Sequence, residues 1–199
     1  LPLSRGLGDV YKRQFRDLGT DVKMCYPTFS RDTPECKSKI TDFGGQDCVI
    51  KRFYSDGEKS IIRACGELGI PHRASEPGKP KTNTKAEGGN RDILQGSRAL
   101  LYAAGLPEIF WPYAAPYYCL MECLTYTKLG ERVYQQWAGV QWRAKIIPFG
   151  AAVSYLGSST RPSELNGKWG PKGLPGIFAG YELGERGIWT GCYLSLIHI

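Results

Sequence analysis

The chain has 199 residues, enough for one domain and a small second one. Hydrophobic residues at 42% and charged residues at 23% fit a globular protein, and 26 Lys and Arg against 19 Asp and Glu give a net charge of +7 that suits a polyanionic partner. The longest apolar stretch, residues 109–124, is short for a membrane span and holds Pro112, Pro116 and Glu122, so it reads as a buried helix. Residues 21–27 read as a short strand. Thr33-Pro34-Glu35 opens a helix with threonine as N-cap, and Gly44-Gly45 stops it. Residues 49–54 form the next strand, residues 58–68 a helix ended by Gly69, and residues 72–75 a short strand. A Pro/Lys loop over 76–83 leads into one long helix, 84–104, whose apolar positions Ile93, Leu94, Leu100, Leu101 and Ala104 fall close to one face. Gly105 ends it, and a further helix starts at Pro107 and runs to about Tyr126.

From Gly130 onward, frequent glycines punctuate short apolar runs such as Ile146-Ile147-Pro148-Phe149, which predicts a small all-β barrel. Strands alternating with helices before it predict a mixed α/β sheet. Seven cysteines at scattered spacing do not form a disulfide framework. A reducing compartment is the simpler reading. With no Cys-x-x-Cys pair and only His72 and His198, a His-His-Cys-Cys zinc site is absent, and Cys119 and Cys123 read as packed thiols. Two end segments do not fit their neighbours. Residues 1–14 and 194–199 resemble translated sequencing-adapter read-through and are set aside from the fold argument.

The chemistry-bearing residues come in a fixed order. A strand delivers Ser55-Asp56-Gly57, then Gly69-Ile70-Pro71-His72 follows, then Pro77-Gly78-Lys79-Pro80-Lys81-Thr82-Asn83, then Glu87 near the start of the long helix. An acid at a strand end and an acid in a helix's first turn can share one metal site. Lys79, Lys81, Lys85 and Arg91 surround Glu87, and cations there suit phosphates. The tail adds Pro148-Phe149-Gly150-Ala151 and Gly176-Ile177-Phe178-Ala179-Gly180-Tyr181.

This ordered set, over roughly Asp17 to Tyr181, resembles the integrase core of long-terminal-repeat retrotransposons and retroviruses, the Asp-Asp-Glu recombinases, and among them the Copia-type branch. The resemblance implies an RNase H-like mixed sheet flanked by helices over residues 15–128, then a small barrel over 129–193. It implies metal-dependent joining of element DNA 3′ ends to target DNA, with Asp17, Asp56 and Glu87 as catalytic residues ligating two Mg²⁺ or Mn²⁺ ions, and with Asp21 as rival to Asp17. Asn90 and Arg91 continue the family's run after the glutamate, and with Lys79, Lys81 and Lys85 they are the implied DNA contacts. The implied partners are element and target DNA and further copies of the chain, with no membrane and no organic cofactor. The implied place of action is the nucleus, after a cytoplasmic particle.

Each residue also has a plain structural reading. Thr84-Lys85-Ala86-Glu87 is a capping box, Asp56-Gly57 a turn, the loop lysines a solvated face, and His72 a structural loop residue. Two features depart from the family pattern. Gly88 and Gly89 follow Glu87, each costing about 1 kcal/mol in a helix relative to alanine, which loosens the element that aims the acid. In this fold the first strand is central, and residues 1–14 stand in its place, so the isolated fragment is expected to fold poorly. The alternative functions are a non-catalytic nucleic-acid-binding remnant, a decayed transposon transcript and a cut-and-paste transposase.

Overall fold

The structure is a computed structural model that describes residues 10–47, 50–75, 84–125, 133–156 and 173–196. It is a mixed α/β core followed by an antiparallel sheet. Strand β1 (Tyr11–Arg16) turns back into β2 (Lys23–Thr28) as an antiparallel hairpin, with Phe15 opposite Met24. Helix α1 (Thr33–Gly44) follows, then β3 (Phe53–Ser55), α2 (Lys59–Glu67) and β4 (His72–Ala74). β3 and β4 pair in parallel across this βαβ unit, with Phe53 opposite His72. Among the described residues the β1–β2 and β3–β4 ladders remain two separate two-stranded sheets. The Phe15 and Phe53 rings nonetheless meet at 5.9 Å.

Local chemistry sets most boundaries. The N-cap of α1 is Asp32 rather than Thr33, because the Asp32 carboxylate accepts from the Glu35 amide at 2.9 Å. Pro34 then falls in the first turn, where its missing N–H costs nothing. Gly45 closes α1 at φ 80°, and Gly69 and Gly105 follow α2 and α3 at φ 66° and 65°. Helix α3 (Thr84–Ala104) has the predicted span. Where one helix from Pro107 was expected, a 3₁₀ turn at Glu108–Phe110 leads into α4 (Trp111–Cys123), with Pro112 in its first turn, and a short α5 (Val133–Ala138) follows. The tail holds β5 (Ala152–Leu156), β6 (Gly173–Leu183) and β7 (Trp189–Leu196), in the order β5-β6-β7. Where a barrel was expected, the described residues form this open three-stranded antiparallel sheet.

Two apolar clusters hold the elements together. The smaller joins Phe15, Cys36, Ile40, Ile61, Ala64 and Cys65 under α1 and α2. The larger runs without a break from Met24 on β2 through Ile93 on α3 and Leu120 on α4 to Phe178, Tyr181 and Leu196 in the tail sheet. α4 is central to it and nearly apolar, which is why residues 109–124 read as buried. The Tyr181 hydroxyl accepts from the Ile147 amide at 2.9 Å and donates to the Lys145 carbonyl at 2.8 Å, so a polar group is satisfied inside that cluster. At the other side of the tail, Gln46 after α1 donates twice to the Glu185 carboxylate, at 3.0 and 2.8 Å, and Arg186 donates to the Trp137 carbonyl.

Of the end segments set aside in the sequence, residues 1–9 and 197–199 lie outside the described residues, and the rest takes part in the fold. Residues 11–14 lie in β1, where buried Arg13 forms a bidentate pair with Glu58 at 2.6 and 2.7 Å. Residues 194–196 lie in β7, and Leu196 is buried opposite Ile177. A short segment without its own periodicity acquires strand structure from its partner. No helix among the described residues is long and apolar enough to cross a membrane.

Candidate active site

Asp56 follows directly on the last residue of β3 and is exposed. The strand ladder ends at Ser55, whose carbonyl accepts from the Ser75 amide at 2.8 Å. Glu87 is exposed in the first turn of α3, where the helix macrodipole favours a negative charge. Neither carboxylate accepts a hydrogen bond among the described residues, so both are open to a ligand.

Asp17 is engaged differently. It follows β1 in the hairpin turn, and its carboxylate accepts from the Thr20 amide at 2.9 Å, the Thr20 hydroxyl at 2.6 Å and the Gly19 amide at 3.2 Å. Partial burial pushes its carboxyl up, but these donors from Thr20 and Gly19 outweigh burial and hold it below the usual carboxylate range. That is the work of a turn acceptor. The rival Asp21 has φ 65° and is paired with Arg16 at 2.5 Å. Among the described residues no three Asp, Glu, His or Cys gather closely enough to hold a metal ion, so Asp17, Asp56 and Glu87 are not brought into one ligand set. Asp56 and Glu87 offer hard oxygens of the kind a divalent ion takes, whereas the Asp17 oxygens are already engaged by the turn.

The start of α3 rests on the β1–β2 hairpin. Lys12 donates to the Asn90 side-chain oxygen, and Lys23 pairs with Asp92 at 3.1 Å. Asn90, expected at DNA, therefore has a partner within the fold. Arg91 is exposed. Lys79 and Lys81 lie outside the described residues, as do the side chains of Lys85 and Thr84, on which the capping-box reading depends. The two glycines after Glu87 differ. A Cβ on Gly88 would meet nothing within 4 Å, whereas one on Gly89 would stand 2.7 Å from the Gln14 amide nitrogen. Gly89 is thus a place where the side chains of β1 and β2 come close to α3.

Sequence reasoning missed what stands behind Asp56. The Ser55 hydroxyl lies 2.8 Å from His72 Nε2 and donates to the Asp56 carbonyl at 2.7 Å. Only the β3–β4 register, unreadable from either strand alone, puts His72 within reach. The thiols Cys25, Cys119 and Cys123 are packed as expected: burial pushes Cys25 and Cys123 up to about 12, and Cys119 well above its ordinary value.

No family model matches the chain. A retrovirus-related Pol polyprotein from transposon TNT 1-94 of Nicotiana tabacum is 31% identical over 151 residues, covering 69% of this chain and 11% of that polyprotein. The chain belongs to the retrotransposon Pol polyproteins. It spans only about a ninth of that relative's length. Among solved structures, the catalytic core domain of BIV integrase matches 64% of this chain and 90% of its own, at 12% identity and a TM-score of 0.45. A chain of the simian T-cell lymphotropic virus intasome, in complex with PP2A regulatory subunit B56 gamma, matches 85% of this chain and 70% of its own, at 13% identity and a TM-score of 0.47. Among the described residues the fold is the mixed α/β arrangement that the sequence predicted, followed by the antiparallel tail sheet.

Proposed function

We propose that this segment carries part of a DNA-joining centre, in which Asp56 and Glu87 face the scissile phosphate and the family's third acid is supplied from elsewhere than Asp17. The observation that carries this reading is the pair of unengaged carboxylates, one ending β3 and one opening α3, in a segment that matches a Pol polyprotein. The reaction is an in-line displacement at phosphorus. A DNA 3′-hydroxyl forms the new P–O bond, the bridging 3′ oxygen of the target strand leaves, and the attacking proton passes to solvent. A bound Mg²⁺ or Mn²⁺ pair would supply charge stabilisation for the attacking and leaving oxygens, with Asp56 and Glu87 among its ligands. Arg91, one turn beyond Glu87, offers a cation to the DNA backbone, and Lys79, Lys81 and Lys85 precede it in the chain. The partners are element ends, target DNA and further copies of the chain, and the work is nuclear.

The test is a Mg²⁺- or Mn²⁺-dependent strand-transfer assay on element-end DNA with Asp56→Asn and Glu87→Gln, alongside DNA binding. Loss of joining by about 100-fold or more in both variants, with binding retained, supports the enzyme. Joining at the parental rate in either variant refutes the role given to that acid. A second reading, a nucleic-acid-binding module without chemistry, draws on one observation: no three acids gather among the described residues. Binding that is equal in all forms, with no joining in any, selects it.

A further inference from the structure

We propose that Ser55 and His72 are positioning residues for Asp56, a hydroxyl latch steadied by an imidazole that fixes the backbone from which the carboxylate projects. The proposal deepens the reading of Asp56 as an acid of the joining centre and rests on it. β3 ends at Ser55: the Phe53 amide donates to the Pro71 carbonyl at 2.8 Å, and the Ser55 carbonyl accepts from Ser75. Beyond that point no ladder bond holds the chain. The one hydrogen bond to Asp56 among the described residues is the 2.7 Å bond from the Ser55 hydroxyl to its carbonyl. Gly57 comes next, with open space around it and the backbone freedom of glycine. The acid thus sits between an ordered strand and a slack residue, and the latch is what extends the order by one residue.

His72 determines where that hydroxyl points. In the parallel register it lies opposite Phe53, two positions before Ser55, and its ring stacks on Phe53 at 6.2 Å with planes 28° apart. From there Nε2 reaches Ser55 Oγ at 2.8 Å along the same sheet face. A serine hydroxyl has one proton, and the Asp56 carbonyl can only accept. The proton therefore goes to the carbonyl, and the hydroxyl oxygen accepts from His72 Nε2–H. The imidazole is held as the Nε2-protonated form by geometry alone. Neither residue touches the reacting phosphate, and both act through Asp56. Groups one step behind the acids at a metal-dependent centre commonly change ion affinity or turnover by about 10–100-fold when lost.

The experiment uses the 199-residue chain and two matched pairs, Ser55→Ala with Ser55→Thr, and His72→Phe with His72→Gln. Threonine keeps the hydroxyl. Phenylalanine keeps a ring on Phe53 but removes the donor, whereas glutamine places an amide donor near the old Nε2. Amide hydrogen exchange at residues 57–58, without metal or DNA, reads the latch directly. Mn²⁺ affinity by calorimetry and strand-transfer turnover read its consequence, and Tm reports on folding. Ser55→Ala and His72→Phe should speed exchange about tenfold or more and weaken Mn²⁺ binding and joining by about 10–100-fold. The threonine and glutamine forms should recover most of each loss at comparable Tm. The proposal is overturned if exchange at these amides is unchanged in Ser55→Ala, if threonine rescues nothing, or if every loss simply follows Tm. Asp56→Asn in the same series separates the two claims. Full joining in that variant removes Asp56 from the chemistry, whereas the exchange result judges the latch whatever the chemistry proves to be.

Discussion

Two identical substitutions in one helix should move stability in opposite directions. Gly88 and Gly96 both lie inside α3, and helix propensity alone makes either one about 1 kcal/mol more stable as alanine. At Gly88 a Cβ meets nothing within 4 Å, so Gly88→Ala should gain that amount. At Gly96 the added Cβ would stand 2.1 Å from Cε2 of Tyr118 on α4, with two more ring atoms at 2.3 and 2.4 Å. Ordinary contact begins near 3.4 Å, so the ring or the helix must retreat by more than an ångström. Overpacking of this kind costs about 1–3 kcal/mol. Set against the propensity gain, Gly96→Ala should lie between neutral and about 2 kcal/mol destabilised, a gap of about 1–3 kcal/mol between the two variants. Urea unfolding at unchanged m-value measures it, and Tm should follow at about 2–4 °C per kcal/mol for a chain of this size. Tyr118→Leu in the Gly96→Ala background should return most of the loss, with a coupling of about 1 kcal/mol or more. If Gly96→Ala stabilises as much as Gly88→Ala, or shows no coupling to Tyr118→Leu, the close approach of α3 to α4 is wrong.

Other expectations follow from the charges. The Arg13 hydrogen bonds hold the Glu58 carboxyl below its ordinary 4.5, against the upward push of burial. A depressed folded-state value means that this stability is present above pH 4.5 and fades as pH falls through the lower value of the folded state. Glu58→Gln should therefore cost about 1–2 kcal/mol at neutral pH, a figure reduced for partial exposure, and nothing at the acid end, as read by unfolding curves from pH 7 to 2. An equal deficit at both ends would contradict the pairing. Asp17→Asn, which keeps an acceptor oxygen in the turn, should leave stability nearly unchanged and joining within a few-fold of the parent. Asp17→Ala should cost about 1 kcal/mol. A loss of joining by about 100-fold in Asp17→Asn would restore Asp17 to the chemistry.

What the sequence revealed depended on how local the cause was. α3 could be bounded because its own periodicity and Gly105 define it, and the βαβ unit because Gly69 and the short run at His72 punctuate it. Asp56 and Glu87 were legible as an ordered pair in a family pattern, not from their individual environments. Three things were out of reach for a common reason. Gly89 against Gln14, Gly96 against Tyr118 and His72 against Ser55 are contacts between elements, and each depends on a register that no single segment encodes. The turn bonds of Asp17 were also illegible, because an aspartate one residue past a strand reads alike whether it awaits a metal or ties its own turn. The apolar cluster that includes both Met24 and Phe178 was equally illegible, since it joins residues on either side of position 128.

That continuity joins the tail sheet to the core as one packed body. The apolar seam through α4 is reinforced where Gln46 grips Glu185. The thirteen residues of α4, about 20 Å of helix, pack against both α3 and β6 in that seam, so a substitution that loosens α4 acts on the tail sheet and on the helix that carries Glu87 together.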